Sequence, residues 1–405
     1  MEKRALMNKR VFFALLCFSC LISAYAQTVP DYTRPDAIAK ASPDSSENSI
    51  ASLSDYFKAN LTSPKELIRA FYYWTANEIA YDVENMFTFR SSDNPATVIS
   101  ETLQKRKAVC QGYAAVFHEL CENAGIESYV VLGYTKQNGN VVNMNHAWVI
   151  ARPDTGWYFF DPTWGSGFIT NGQFTRKFTG EYFMIKPASF IKSHMPFDPL
   201  WQCLFYPFSS GDFYLGIPPK KESTKYFNYQ DSIGFYNGLS KPEKQAAALR
   251  RIEGNGVVNN SVFEYQRYLK QNLEIDRINR LNEAQNELVN AFNRAVNNYN
   301  SAAFLFNDYI NYWNRQFKPV RPDAEIRHML DTCDFHLAQT RKILAEIHPK
   351  EETLIKNMEM LAKPVEDIQR QVDEQKIFVR EYLGTSKNLR PTMFRKYTWL
   401  GVPVK

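Results

Sequence analysis

The chain has 405 residues, of which 48 are Lys or Arg, 43 are Asp or Glu, and 44% are apolar. This length suggests two or three domains, and the apolar content is ample for sizeable hydrophobic cores. Residues 1–26 hold four of the basic residues and one acidic residue, which leaves 44 basic against 42 acidic side chains, a net charge of +2. Such a balance gives no case for a nucleic-acid partner.

The first 26 residues have the pattern of a secretory signal peptide. Four basic residues precede an apolar run from Val11 to Ile22, and the cleavage-type sequence Ala24-Tyr25-Ala26 follows. An apolar run of about 12 residues is too short for a membrane-spanning helix. The sequence therefore predicts a protein without an integral membrane span that is exported to the periplasm, to the cell surface or outside the cell.

The segment between the predicted signal peptide and Cys110 is predicted to be mainly helical. Residues 27–48 are polar and contain three prolines, which is typical of an extended leader. Residues 52–82 give two helical patterns, and residues 96–105 give a further short helix. A strand is predicted from Ser128 to Tyr134, so helices precede a sheet in this part of the chain.

Cys110 stands at the start of the next predicted helix. Apolar and small residues recur with a period near 3.6 from Cys110 to Ala124, and Gly125 supplies the left-handed residue that ends a helix. In the first turn, unpaired backbone N–H groups and the positive end of the helix dipole favour a thiolate. The position therefore suits a nucleophile, although most buried cysteines are inert.

Two β-rich segments follow, Asn145–Ala151 and Trp157–Gly165, and they are typical of an antiparallel hairpin. A two-residue tip would place His146 opposite Asp161, whereas a four-residue tip would make them diagonal neighbours on the same face. A slip by one residue would separate them. On a shared face, the aspartate can hold one imidazole nitrogen while the other nitrogen serves a thiol.

These segments resemble the transglutaminase-like cysteine-enzyme superfamily. The resemblance rests on Val-Cys-Gln-Gly-Tyr-Ala at Cys110, Asn-His-Ala-Trp at His146, Trp-Tyr-Phe-Phe-Asp-Pro-Thr-Trp-Gly at Asp161, and the upstream helix Ala70–Asp82. The segment His194–Gln202 is similar to one in the kyphoscoliosis-peptidase-like branch. Together these pieces cover roughly residues 52–213, which is under half of the chain.

The resemblance implies an α+β fold with a papain- or transglutaminase-like core, in which the cysteine helix packs on an antiparallel sheet. It implies that Cys110, His146 and Asp161 are the catalytic residues of an acyl-transferase or amide hydrolase of the protease or amidase type. Such an enzyme would act on a protein or peptide through a thioester, without a cofactor or metal. No loop has the spacing of an EF-hand, so the calcium dependence of some transglutaminases is not carried over.

Other histidines and tryptophans are assigned structural roles. His118 is predicted to lie on a helix face. His194 is predicted to lie in a loop, where a capping role is favoured over lining a cleft. Trp74 is predicted to belong to the core, whereas Trp148 and Trp164 suit either the core or the wall of an active-site slot.

The cysteines outside the signal peptide show no metal-ligand spacing; they are Cys110, Cys121, Cys203 and Cys333. Cys110 and Cys121 share a helix and stand about 16 Å apart, too far for a disulfide. The disulfide state of the other three is left open.

Beyond residue 217 the pattern becomes that of long helices. A helix near residues 240–254 is followed by three amphipathic segments, at about 260–317, 323–347 and 354–372, separated by prolines. The sequence thus predicts a transglutaminase-like domain over residues 27–217 and an all-α antiparallel bundle or coiled-coil-like arm over residues 218–405. A structural bundle is favoured over an arm that binds a partner. The alternative function is a non-catalytic binding or scaffold protein whose arm engages that partner.

Overall fold

The computed structural model describes residues 31–87, 94–222 and 224–394, together with 396–397 and 403–404. The predicted signal peptide, residues 1–26, lies outside the described residues. The chain divides into two compact units, Met1–Leu273 and Glu274–Lys405. Within the described residues, no helix combines the length and the apolar character needed to cross a membrane.

Helices form the N-terminal part of the first unit. They are α1 (Thr33–Lys40), α2 (Ile50–Asn60), α3 (Pro64–Glu78), α4 (Pro95–Lys105) and α5 (Cys110–Asn123). Two short strands, β1 (Ala80–Tyr81) and β2 (Lys107–Ala108), pair in parallel. Because β2 ends two residues before Cys110, this pairing fixes the place where α5 begins.

The sheet of the first unit has four antiparallel strands. They are β3 (Ser128–Gln137), β4 (Asn140–Ala151), β5 (Tyr158–Phe160) and β8 (His194–Pro196). The connections contain the hairpin β6 (Gly167–Thr170) with β7 (Gln173–Arg176), and the short helices α6 (Pro162–Ser166) and α7 (Pro187–Phe190). The spatial order is β5–β4–β3–β8. Helices packed on an antiparallel sheet make the unit α+β, as the sequence predicted.

Strands β3 and β4 meet in a tight turn at Asn138 and Gly139. Both residues have positive φ angles, 50° and 79°, as a type I′ hairpin requires. The sequence prediction ended the first strand at Tyr134 and placed His146 at the start of the next. Both strands instead extend to the turn, and His146 pairs with Gly133 within the body of β4.

Helix α5 lies at the centre of the core of the first unit. The ring of Phe117 meets Phe160 of β5 and Tyr72 of α3, with centroid distances of 5.3 and 6.3 Å. All three rings are fully buried, and burying each one stabilises the fold by roughly 1.5–3 kcal/mol. Gly112 permits a close approach near the start of α5, because a Cβ there would stand 2.4 Å from the Cβ of Ala108.

The extended leader predicted for residues 27–48 is wrong over its described part. Residues 33–40 form α1, which packs on α3. Arg69 of α3 donates to both carboxylate oxygens of Asp36, at 2.6 and 2.8 Å, and its guanidinium lies over the rings of Tyr32 and Phe183. The composition concealed this contact because the ion pair joins residues 33 positions apart, and such a pair leaves no local pattern.

The first unit extends beyond the boundary that the sequence placed at residues 217/218. It also contains α8 (Ser210–Leu215), α9 (Tyr229–Gly238), α10 (Lys241–Asn255) and the beginning of a long helix, α11 (Asn260–Asn314). Arg251 of α10 donates twice to Asp198, at 2.7 Å each, and Ile233 of α9 is buried in a cluster with Trp201. Residues 218–273 therefore complete the core of the first unit.

The second unit is mainly helical. It contains the remainder of α11, together with α12 (Asp323–Glu346) and α13 (Glu352–Gly384), and the two-residue strands β9 (Lys396–Tyr397) and β10 (Pro403–Val404). A buried cluster joins the three helices through residues such as Tyr309, Leu337 and Val372. Pro364 lies inside α13. The three long helices predicted from the sequence are present.

The contact between Arg251 and Asp198 predicts a measurable coupling between residues 218–273 and the rest of the first unit. Because Asp198 is 4% exposed, we expect Arg251→Met to lower the free energy of unfolding by about 3 kcal/mol, since it leaves a buried carboxylate without its cation. Urea denaturation followed by tryptophan fluorescence measures this change. Arg250→Met, at an exposed neighbouring position, is the matched control and should change stability by less than about 0.5 kcal/mol. Equal effects of the two substitutions would place α10 outside the core.

Candidate active site

Cys110 is the first residue of α5. It is 4% exposed and belongs to the core cluster of the first unit. Val109 precedes it in an extended conformation, and the N–H of Gly112 donates to the carbonyl of Val109 at 2.9 Å. The thiol therefore stands in the first turn of a helix, as the sequence predicted, where the helix dipole favours negative charge.

The structure brings His146 and Asp161 together. Nε2 of His146 lies 2.7 Å from Oδ2 of Asp161, and both side chains are buried. In the hairpin, Val149 pairs with Phe160, which is the register of the four-residue tip. Asp161 follows the last paired residue of β5 and caps α6, since its Oδ1 accepts from the N–H of Trp164 at 3.0 Å.

The charges of this pair are set by burial and by their mutual contact. Burial lowers the pKa of His146, but the Asp161 carboxylate and a hydrogen bond with the Cys110 side chain raise that pKa to about 10. Burial raises the pKa of Asp161, but His146 and His194 together hold it well below its usual range. Near neutral pH the pair is thus an imidazolium and a carboxylate. Because Nε2 of His146 faces Asp161, its Nδ1 is the nitrogen left for the thiol proton.

His194 is the residue of this site that sequence reasoning missed. Its Nε2 lies 3.1 Å from Oδ2 of Asp161, the same oxygen that His146 contacts. His194 begins strand β8 and does not serve as a loop cap. The two residues are 33 positions apart, so no local pattern could pair them. The only available signal was the similarity of the His194–Gln202 segment to the kyphoscoliosis-peptidase-like branch.

His146, Asp161 and His194 each offer one ligand atom, and these atoms lie within 4.8 Å of one another. A tetrahedral zinc ion holds its ligand atoms about 3.3 Å apart, given bonds near 2.0 Å. The 2.7 Å separation of His146 and Asp161 is shorter than this and fits a hydrogen bond. At these distances the three side chains form a hydrogen-bonded group.

A cavity of about 590 Å³ opens at the site. His146 and Trp164 line it, and Phe168 and Ile169 of the β6–β7 hairpin contribute an apolar wall. Trp148 is fully buried and belongs to a core cluster instead. Of the two tryptophans whose roles the sequence left open, Trp164 therefore borders the cavity, and Trp148 supports it from within.

The other singled-out residues lie apart from this cluster. Nδ1 of His118 lies 2.7 Å from Oγ of Ser128, and Trp74 is fully buried and donates to Glu47 at 2.8 Å. The four cysteines of the described residues are free thiols. Burial raises the pKa of Cys121 and of Cys203 far above the usual range and raises that of Cys333 to about 11. These three thiols are therefore protonated near neutral pH.

The segment that contains these residues matches a known protein family. Residues 51–162 match the model of the transglutaminase-like superfamily. This region is a transglutaminase-like domain. The match includes Cys110, His146 and Asp161, and it ends before His194. The resemblance noted from the sequence is thereby confirmed at the level of the superfamily.

Curated relatives of the transglutaminase-like domain include two kyphoscoliosis peptidases. The protein of Mus musculus is 31% identical over 205 residues, which cover 48% of this chain and 29% of the relative. The protein of Homo sapiens is 30% identical over 202 residues, which cover 48% of this chain and 28% of the relative. The chain thus spans less than a third of the length of these relatives.

Among solved structures, the periplasmic domain of TgpA from Pseudomonas aeruginosa, bound to ethylmercury, is 24% identical. The alignment covers 34% of this chain and 51% of that chain, with a TM-score of 0.23. An overlap this low does not define a common overall architecture.

The raised pKa of His146 predicts how stability depends on pH. Its folded pKa of about 10 lies above the ordinary value of 6.5, so the stabilisation is complete below pH 6.5 and is lost as the pH rises through 10. We expect the free energy of unfolding to fall by about 1.4 kcal/mol per pH unit from this group. Urea denaturation between pH 6.5 and 10 measures the slope in a Cys110→Ser background, where no thiol can lose the proton that the imidazole gains.

In this experiment, His146→Gln should lack the slope, whereas the control His348→Gln, at an exposed position of the second unit, should retain it. The same slope in His146→Gln as in the unchanged protein would show that the imidazolium is not held by Asp161.

Proposed function

We propose that the transglutaminase-like domain is a cysteine-dependent enzyme that transfers or hydrolyses an acyl group of a protein or peptide. In this proposal Cys110 is the nucleophile, His146 is the general base and acid, and Asp161 stabilises the imidazolium. The observation that carries the proposal is the buried contact of 2.7 Å between His146 and Asp161. The position of Cys110 at the start of α5 supports it. Burying a charged pair costs free energy of desolvation. Strongly perturbed buried groups of this kind cluster at functional sites.

The first half of the proposed reaction forms a thioester. In the resting site the proton of Cys110 already stands on His146, and the thiolate attacks the carbonyl carbon of a glutamine carboxamide or a peptide amide. Backbone N–H groups at the start of α5 would hold the oxyanion. The imidazolium then gives its proton to the departing nitrogen as the C–N bond breaks, so ammonia or an amine leaves and the acyl group stays on sulfur.

The second half returns the free cysteine. Either water or a lysine amine attacks the thioester, His146 removes the proton of the attacking group, and the sulfur leaves as a thiolate beside the imidazolium. Water needs no second binding site. We therefore favour hydrolysis over transamidation.

The cavity supports a peptide-like substrate. Phe168, Ile169 and Phe174 offer apolar contacts on the β6–β7 hairpin, and Lys136 and Gln137 offer polar ones at the end of β3. A mixture of this kind suits a chain that presents an amide together with an apolar side chain. We further propose that the enzyme is exported, on the strength of the signal-peptide pattern in residues 1–26.

A second candidate function is partner binding through the second unit, with the triad kept only as part of the fold. It is favoured by exposed aromatic side chains on that unit, among them Phe304 of α11 and Phe335 of α12. Aromatic residues are enriched in protein–protein interfaces. The reactivity of Cys110 decides between the two candidates.

The first test of catalysis is selective alkylation. We expect iodoacetamide at pH 6 to modify Cys110 roughly ten to a hundred times faster than Cys121, Cys203 or Cys333, because only a thiolate is nucleophilic. Peptide mass analysis of the full chain over time gives the four rates. Cys110→Ser should remove the fast reaction, and Cys121→Ser, a control on the same helix, should not. Four similar rates would favour the binding function.

The second test asks whether His146 and Asp161 act on the thiol. We expect His146→Ala to move the midpoint of the alkylation pH profile up towards about 8.5, the ordinary value for cysteine. Asp161→Asn should give an intermediate midpoint, because the imidazole remains but its cation loses its anion. Circular dichroism confirms that each variant is folded. An unchanged midpoint in His146→Ala would mean that the two side chains share no proton.

A further inference from the structure

One oxygen of Asp161 receives hydrogen bonds from two histidines. Oδ2 lies 2.7 Å from Nε2 of His146 and 3.1 Å from Nε2 of His194, whereas Oδ1 accepts from the N–H of Trp164 at 3.0 Å. The carboxylate is completely buried. It therefore has three donors, of which only His146 takes part in the proposed chemistry.

The hydrogen bonds of His194 define which of its nitrogens carries the proton. Nε2 lies 3.1 Å from a carboxylate oxygen, which can only accept, so Nε2 carries the hydrogen. Nδ1 lies 2.8 Å from Oγ of Ser193. Burial lowers the pKa of His194 to about 4, in opposition to its hydrogen bond with Asp161. His194 is therefore a neutral donor at the pH values where His146 is a cation.

Aromatic rings hold His194 in place. Phe190 stacks on it with a centroid distance of 3.9 Å, and Trp164 and Trp148 lie at 4.4 and 5.3 Å. Its titratable neighbours are Asp161, His146 and Tyr182. The ring is nearly inaccessible to solvent, so no water competes for Oδ2 from this side.

We propose that His194 is a positioning residue of the site: its Nε2–H holds the Asp161 carboxylate against His146 and limits how tightly that carboxylate binds the His146 proton. The catalytic meaning of this role rests on the proposed function. A second donor on Oδ2 disperses the negative charge that His146 would otherwise receive alone. His146 can then release its proton to the departing nitrogen more readily.

Two substitutions separate the hydrogen bond from the packing. His194→Gln places an amide N–H where imidazole Nε2 stands, and it does not titrate. His194→Phe fills the aromatic pocket but has no donor. We expect the titration midpoint of His146 to rise by about one pH unit in His194→Phe and to stay within about 0.3 unit in His194→Gln. The rise follows because Oδ2 of the carboxylate then accepts from His146 alone.

Nitrogen-15 NMR of the full chain, labelled only at histidine, measures both rings. In the unsubstituted protein at pH 7, His194 should show a neutral ring protonated at Nε2, and His146 a doubly protonated ring. Protonation of His194 at Nδ1 would overturn the proposal, even if His194→Phe does not fold. Equal midpoints of His146 in the two variants would also overturn it, because a purely packing role cannot distinguish them.

This measurement does not depend on the reactivity of Cys110. Loss of the proposed function would appear as four similar alkylation rates, whereas loss of the role of His194 would appear in the nitrogen spectra. The two failures are therefore distinguishable.

Discussion

The region around the cavity depends on keeping the fully buried carboxylate of Asp161 ionised. Removing an ion from water costs several kcal/mol, and only nearby charge and complete hydrogen bonding offset that cost. The compensation comes from three separate parts of the chain: α6 supplies the N–H of Trp164, β4 supplies His146, and β8 supplies His194. Because each donor lies on a different element, the carboxylate is satisfied only when these elements have assembled. The ionised state of Asp161 therefore depends on the folding of the first unit.

The two histidines can approach the same carboxylate because the strand between them, β3, has a glycine at position 133. His146 on β4 and Pro196 on β8 both pair with Gly133 of the intervening strand β3, and His194 lies two residues from Pro196 on the same face. A Cβ at Gly133 would stand 2.5 Å from the Trp148 ring, which is itself next to both imidazoles, with centroid distances of 5.9 and 5.3 Å. A larger residue at this position would therefore displace the ring that supports both histidines.

The sequence predicted those parts of the molecule that local patterns encode. The helix from Cys110 and its end near Gly125 follow from periodicity and glycine, and the shared face of His146 and Asp161 follows from the period of two along a strand. The contact of His194 with Asp161 could not be predicted in this way, because three strands and a helix must first assemble. The same holds for α1, whose ion pair with α3 crosses 33 residues, and for α10, which the change of composition at residue 217 placed in another domain. Long-range pairing between single charged residues leaves no periodic signal.

Three cysteines of the folded protein, Cys121, Cys203 and Cys333, are buried as unpaired thiols. The chain must therefore fold before these thiols are oxidised. In the folded protein they are inert, because disulfide exchange needs an accessible thiolate. In the unfolded chain each is an ordinary cysteine, open to oxidation or to a mixed disulfide. If the chain is exported as we propose, folding must be faster than the local oxidants, since a disulfide between any of these positions would have to break before the core could close. Oxidative conditions would then reduce the yield of folded protein without affecting molecules that have already folded.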